Sequence, residues 1–190
     1  MRLVEREEIL SIGQYESIRE QFRNRIIREK KVRRFALGPE ITGVFENHDT
    51  VMYQIQEMIR TERISKESSI RHEIETYNAL VPGDRELSAT LMIEIDDKAT
   101  RDRRLVELVG IERCVGIVVG DEMAMAAWQS DRIFEGRASA VLYYKFPLSE
   151  KAVSAIRSNA RVEVVVAHEH YKASVTLSPE AVASLAEDFE

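Results

Sequence analysis

Ser88-Ala-Thr-Leu-Met-Ile-Glu-Ile95 is the stretch whose reading decides the fold. Ala89, Leu91, Ile93 and Ile95 alternate with Ser88, Thr90, Met92 and Glu94, the two-residue period of a strand that buries one face. Pro82-Gly83 stands just before it and closes a front half written in helical periods. Strand signals dominate the back half. Cys114–Val119 and Glu122–Trp128 flank Gly120-Asp121, a tight-hairpin signal. Ala140–Phe146 is a further alternating strand ending at Pro147. Val162–Ala167 and Ala173–Leu177 form a last hairpin whose tip is His168 to Lys172. Helices interrupt this run: Asp97 to Val109 ends at Gly110, Ser149 caps a short one through Ser158, and Ser178-Pro179-Glu180 opens the last, with Pro where no N–H is needed.

Upstream, Tyr15, Ile18, Phe22 and Ile26 step by three and four and predict a helix from Gln14 to Val32. Phe35 to Leu37 and Ile41 to Phe45 bracket Gly38-Pro39-Glu40 as a hairpin. Asn47 or Asp49 then caps a helix in which Val51, Met52, Ile55, Met58 and Ile59 form a buried seam. Ser65 offers a cap for the next, where Ile70, Ile74 and Tyr77 share a face. The expectation is an α+β fold, an antiparallel β-sheet with packed helices, helical in its N-terminal half and strand-rich in its C-terminal half. At 190 residues the chain fits a single domain, 1–190, or subdomains 1–83 (helical) and 84–190 (sheet-rich).

An apolar fraction of 44% with 32% charged residues is that of a folded, soluble protein. The single cysteine, Cys114, excludes an internal disulfide and a Cys-x-x-Cys pair, and a reducing cytoplasm is the simple reading. The N-terminus lacks an apolar core of signal-peptide length, and no apolar run approaches the roughly 18 residues of a membrane span. Between Arg19 and Arg34 eight Lys or Arg stand against two Glu, so this segment is +6 and the rest of the chain is −12. In an acidic protein this run, with Arg19, Arg23, Lys30, Lys31, Arg33 and Arg34, reads as a solvated helix face or a dock for an acidic partner rather than a nucleic-acid site.

Chemistry concentrates on the second helix. Gln54, Gln56, Glu57, Arg60 and Glu62 place amides, carboxylates and a guanidinium close together, which costs desolvation energy unless they pair or meet a ligand. Glu57, Glu73 and Glu94 lie on three successive elements and are candidates to converge as acid, base or metal ligands, against the blander reading that each faces water or pairs with Arg60 or Arg71. His168 and His170 are two apart, the strand spacing that would aim two imidazoles at one metal, although a hairpin tip breaks that alternation. Trp128 and the pair Met123 and Met125 read as core, and Cys114 as a small buried hydrophobe. A carboxylate-bridged di-iron bundle needs Glu-x-x-His. The residues three before His48, His72, His168 and His170 are Phe45, Ser69, Val165 and Ala167, so that motif is absent. So are His-Glu-x-x-His, the Walker loop and Gly-x-Ser-x-Gly.

Phe45-Glu-Asn, Gln54-Ile-Gln-Glu-Met, Arg60-Thr-Glu-Arg-Ile64, Tyr77-Asn-Ala-Leu and Glu86-Leu-Ser-Ala-Thr-Leu, with Glu94, resemble the signature of an uncharacterised bacterial family catalogued as a domain of unknown function. Lys30-Lys31-Val-Arg33-Arg34 followed by Gly38-Pro39, and the Ser139–Pro147 strand, are similar too. The resemblance covers nearly the whole chain and is loosest in the C-terminal third. There the expected His-Pro-Asn-Tyr is His168-Glu-His-Tyr171, matching at His168 and Tyr171 only. The resemblance implies a functional surface on Glu46, Gln54, Glu57, Arg60, Glu62, Glu73, Tyr77 and Asn78, and the candidate metal ligands from the residues themselves are His168 and Glu94. By association with genes for rubrerythrin and an iron–sulfur oxidoreductase, it also implies a cytoplasmic role in peroxide or iron handling. The leading expectation is a non-catalytic accessory protein of such a system. The alternatives are a metalloprotein or enzyme of a new kind using the Glu/Arg cluster, and a nucleic-acid regulator using the basic helix. Cofactor, substrate and self-association stay open.

Overall fold

A computed structural model describes residues 1–128 and 136–189. Helix α1 (Ile12–Arg33) starts at Ser11, whose hydroxyl accepts the Gln14 N–H while the Gln14 side chain returns to the Ser11 backbone. Strands β1 (Arg34–Ala36) and β2 (Ile41–Glu46) form the expected first hairpin. Asn47 caps α2 (His48–Thr61) through the Thr50 N–H at 2.9 Å. Helix α3 (Glu67–Asn78) begins one residue later than a Ser65 cap predicts. Lys66 holds the N-cap position with no side-chain bond, and the helix ends four residues short of Pro82. Then come β3 (Glu86–Ile93), α4 (Lys98–Glu107, capped by Asp97), β4 (Val115–Val119), β5 (Glu122–Met125), β6 (Ala127–Trp128) and β7 (Val141–Pro147). The chain closes with α5 (Glu150–Arg157), β8 (Val162–His168), β9 (Tyr171–Thr176) and α6 (Pro179–Ala186).

The architecture is α+β, with two antiparallel sheets where one was expected. The first has the order β1-β2-β3-β7-β6 and the second β5-β4-β8-β9. The predicted strand Glu122–Trp128 breaks at Ala126, whose N–H bonds to the Val115 carbonyl at 3.0 Å. Before it the chain pairs with β4, and after it with β7 in the other sheet. The first sheet draws strands from both sides of Pro82-Gly83, because β2 runs against β3 from Ile41↔Ile93 to Glu46↔Ser88.

The inward residues of both sheets share one apolar core: Leu87, Leu91, Phe45 and Phe146 from the first, Ile117 and Val164 from the second, closed by Leu105, Ile156 and Leu185 from the helices. Each such side chain contributes about 1.5–3 kcal/mol of burial free energy. On the helical side a second cluster joins Val51, Ile55 and Ile59 of α2 to Ile70 and Ile74 of α3, with Val4 and Ile9 laid across them and Tyr143 of β7 packed against it. Among the described residues no helix is long and apolar enough to cross a membrane.

Three local expectations are corrected. Met123 and Met125 are not core: they are 58% and 49% exposed, because β5 turns Ala124 inward and pairs the methionines with Val118 and Gly116 on the outer face. The last hairpin turns at Glu169-His170 only, so His168 is a buried strand residue paired with Tyr171 rather than part of an exposed tip. Arg33 is not on a surface at all, being 2% exposed. Trp128 packs half-buried against the core.

Candidate functional site

The polar residues of α2 do not form one cluster, because 100° per residue sends them to different neighbours. Gln56 faces the N-terminal segment. Its amide accepts the Leu10 N–H at 2.9 Å and donates to the Leu10 carbonyl at 3.1 Å. Asn78 does the same for Val4, at 2.9 and 3.0 Å. A side-chain amide matches a peptide group donor for acceptor, so these two residues tie the chain's start onto α2 and α3.

Glu57 and Arg60 face α1. Glu57 receives the Tyr15 hydroxyl at 2.6 Å and the Arg19 guanidinium through Nε at 2.7 Å and Nη2 at 2.9 Å. Arg60 lies 3.6 Å from the same carboxylate and 3.3 Å from Glu16. The hydrogen bonds from Arg19 hold the Glu57 carboxyl down at about 2, against the opposing push of burial. Burial, followed by the bond to Glu57, pushes the Tyr15 hydroxyl well above its ordinary range. The Arg60 Nε–H is buried without an acceptor among the described residues.

Glu46 sits on the helical face of β2 and is 2% exposed. Its two oxygens accept from Thr50 at 2.6 Å and Thr90 at 2.7 Å. The sheet register sets this up: Glu46 lies opposite Ser88, and Thr90 one pleat along on the same face of β3. Tyr143, opposite Thr90 on β7, has its hydroxyl pushed up by burial and then by the Glu46 charge. Tyr77 is pushed up by burial first, then by the charges of Glu73 and Glu62, and the Gln54 amide lies beside it. Thus Gln54, Glu62, Glu73 and Tyr77 gather on one side of α2 and α3, and Glu57 and Arg60 on another.

Glu94 lies just past β3 and accepts from the Thr42 hydroxyl at 2.9 Å. Glu57, Glu73 and Glu94 share no hydrogen-bond partner among the described residues. Both ring nitrogens of His168 are engaged: Nε2 lies 3.0 Å from the Val109 carbonyl, and Nδ1 accepts the His170 N–H at 3.2 Å. Among the described residues no three His, Cys, Asp or Glu are grouped to hold a metal ion.

The basic run divides. Arg19 belongs to Glu57, Arg25 pairs with Asp49 at 2.9 Å, Lys30 stands 6.0 Å over the Tyr53 ring, and Arg23 lies near the Tyr53 hydroxyl. Arg33 turns inward to the Phe45 and Glu46 carbonyls, to Ser184 and to both oxygens of Asp188. Arg28, Lys31 and Arg34 are exposed and make no ion pair among the described residues. Sequence reasoning missed Tyr15, Thr50, Thr90 and Tyr143. The signal for Thr90 was present, since it lies on the polar side of the Ser88–Ile95 alternation.

The class these observations define is an α+β protein of two antiparallel sheets, with a helical layer fastened over one of them by ionic and amide contacts. The chain belongs to the family described as protein of unknown function, DUF3501, whose model matches residues 3–189. It is similar to a protein of unknown function from Burkholderia pseudomallei seen in a crystal structure, at 32% identity and a TM-score of 0.94, over 100% of both chains. No curated protein matches it.

Proposed function

We propose that this chain is a non-catalytic accessory protein that docks an acidic partner in a rubrerythrin-linked oxidative-stress or redox system of the cytoplasm, the partner being rubrerythrin or an iron–sulfur oxidoreductase. The observation that carries the reading is the division of the charges. Glu46, Gln56, Glu57, Arg60 and Asn78 are bonded within the fold. Arg28, Lys31 and Arg34 are left facing outward at one end of α1. Cations held outward on rigid elements speed and orient association with a surface of opposite sign. Pull-down against metallated rubrerythrin and the iron–sulfur protein at low salt tests it, and capture of neither sinks it.

A second reading, a metalloprotein or enzyme, is favoured by one feature: the Glu46 carboxylate is buried on hydroxyls with no cation paired to it among the described residues. Elemental analysis of protein purified without chelator separates the two, because stoichiometric metal supports the second.

A further inference from the structure

Strand β1 is one edge of the first sheet and β9 one edge of the second, and the β1–β2 hairpin approaches β9 along a seam. The seam is clasped at one end. The Tyr171 hydroxyl donates to the Leu37 carbonyl at 2.7 Å and accepts the Glu40 N–H at 3.1 Å. Gly38, at φ 77°, makes room for it: a Cβ there would stand 2.5 Å from that oxygen. At the other end the seam opens into a cleft of about 450 Å³, with Lys31, Val32 and Arg34 on one wall and Val175, Leu177 and Glu180 on the other.

The β9 edge is only lightly blunted. His168↔Tyr171 flank a two-residue turn, and the Leu177 N–H bonds to the Val162 carbonyl at 2.9 Å. In an antiparallel ladder the hydrogen-bonded pairs alternate, so residues 171, 173, 175 and 177 direct their backbone groups onto β8. The N–H and C=O groups of Lys172, Ser174 and Thr176 therefore point away from the sheet, and no described residue bonds them. Natural edges are blunted by proline, bulges, short length or charge. β9 carries six residues with no proline and one charge, Lys172.

We propose that this seam is a strand-addition site for an extended acidic segment of a partner protein. The segment's backbone pairs with Lys172, Ser174 and Thr176 of β9, its carboxylates meet Arg28, Lys31 and Arg34, and an apolar side chain enters the cleft against Val32, which is 39% exposed. Charge selects this occupant over a second copy of the chain: two β9 edges paired antiparallel about Ser174 would bring Lys172 of each toward the Lys31 and Arg34 end of the other, a like-charge cost. The inference rests on the acidic-partner reading above and adds its place and mode.

The probe is a short labelled peptide alternating valine with glutamate, with the lysine counterpart as control, at about 50 mM salt where screening is weak. Fluorescence anisotropy should show binding of the acidic peptide alone. Amide exchange should slow at Lys172, Ser174 and Thr176. Lys31→Glu with Arg34→Glu should weaken binding about tenfold or more. Ser174→Pro removes an outward N–H without touching the β8 ladder, and should abolish the exchange protection. Binding that survives both variants, or a dimer in sedimentation that Ser174→Pro dissolves, overturns the proposal. Rubrerythrin captured equally well by Ser174→Pro would overturn the seam and leave the acidic-partner reading standing. Peptide binding without capture of rubrerythrin does the reverse.

Discussion

Replacing Arg33 with Met should unfold this protein more readily than any surface change. The Arg33 guanidinium donates to the Phe45 carbonyl at 3.0 Å, the Glu46 carbonyl at 3.2 Å, the Ser184 carbonyl at 3.1 Å and the Asp188 carboxylate, joining the end of α1, the end of β2 and α6 in one knot. Met keeps the apolar stem and removes the charge. Asp188 is then left buried without its cation, and three carbonyls lose donors. Burial already drives the Asp188 carboxyl upward against the pull of Arg33. Breaking one side of such a buried pair costs about 3–5 kcal/mol. For a chain of this length about 1 kcal/mol moves the midpoint by about 2–4 °C, so the fall in Tm should be about 6–20 °C. Arg33→Met with Asp188→Leu removes both charges and should recover the part of the loss that the unpaired Asp188 carboxylate causes, while the three carbonyls stay without their donor. Urea unfolding and calorimetry read both variants. A single mutant within about 1 kcal/mol of wild type, or a double mutant no better than the single, would refute the reasoning.

The geometry sets three further outcomes. Glu57 has its folded pKa depressed to about 2 from 4.5, so its contribution is fully present above the unfolded value and is lost as pH falls from about 4.5 toward 2. With partial solvent screening it is on the order of 1–3 kcal/mol, and Glu57→Gln should flatten the acid limb of urea stability against pH; parallel limbs would contradict it. Gly43→Ala sets a Cβ 2.2 Å from the Phe35 ring and should cost about 1–3 kcal/mol by overpacking, read as a lower urea midpoint at unchanged slope. Tyr171→Phe removes the clasp on Leu37 and Glu40 and should cost about 1–3 kcal/mol, with faster amide exchange at Glu40; an unchanged exchange rate would show that the hydroxyl fastens nothing.

Element types were legible wherever period and punctuation agreed. The Ser178-Pro179 start stands where the residues put it, Asn47 rather than Asp49 makes the α2 cap, and the Ser88–Ile95 alternation is a strand shifted two residues earlier, Glu86–Ile93. What alternation cannot report is which sheet a strand joins. Ala126 illustrates this: nothing in Glu122–Trp128 announces a break, because the break is set by the partners β4 and β7. Met123 and Met125 misled for the same reason. Two apolar side chains at strand spacing fix a common face, and only the packed sheet decides whether that face meets core or water.

The candidate site shows a deeper limit of local reading. Gln54, Gln56, Glu57 and Arg60 are neighbours along the chain, yet the helix distributes them among Tyr77, Leu10, Tyr15 with Arg19, and Glu16. Density of polar residues in sequence signalled that they are desolvated, which holds for Gln56 in full and for Glu57 in large part. It did not signal by what. Partners such as Tyr15 and Arg19 lie some forty positions upstream and looked like an apolar stripe residue and one member of a basic run. Arg33 is the extreme case: the same run that reads as a solvated face contains the most fully buried cation among the described residues, taken inward by Asp188 near the other terminus. Subtracting such internal pairs exposes Arg28, Lys31 and Arg34 as charges the fold leaves unused among the described residues, and Lys31 and Arg34 line the cleft beside β9.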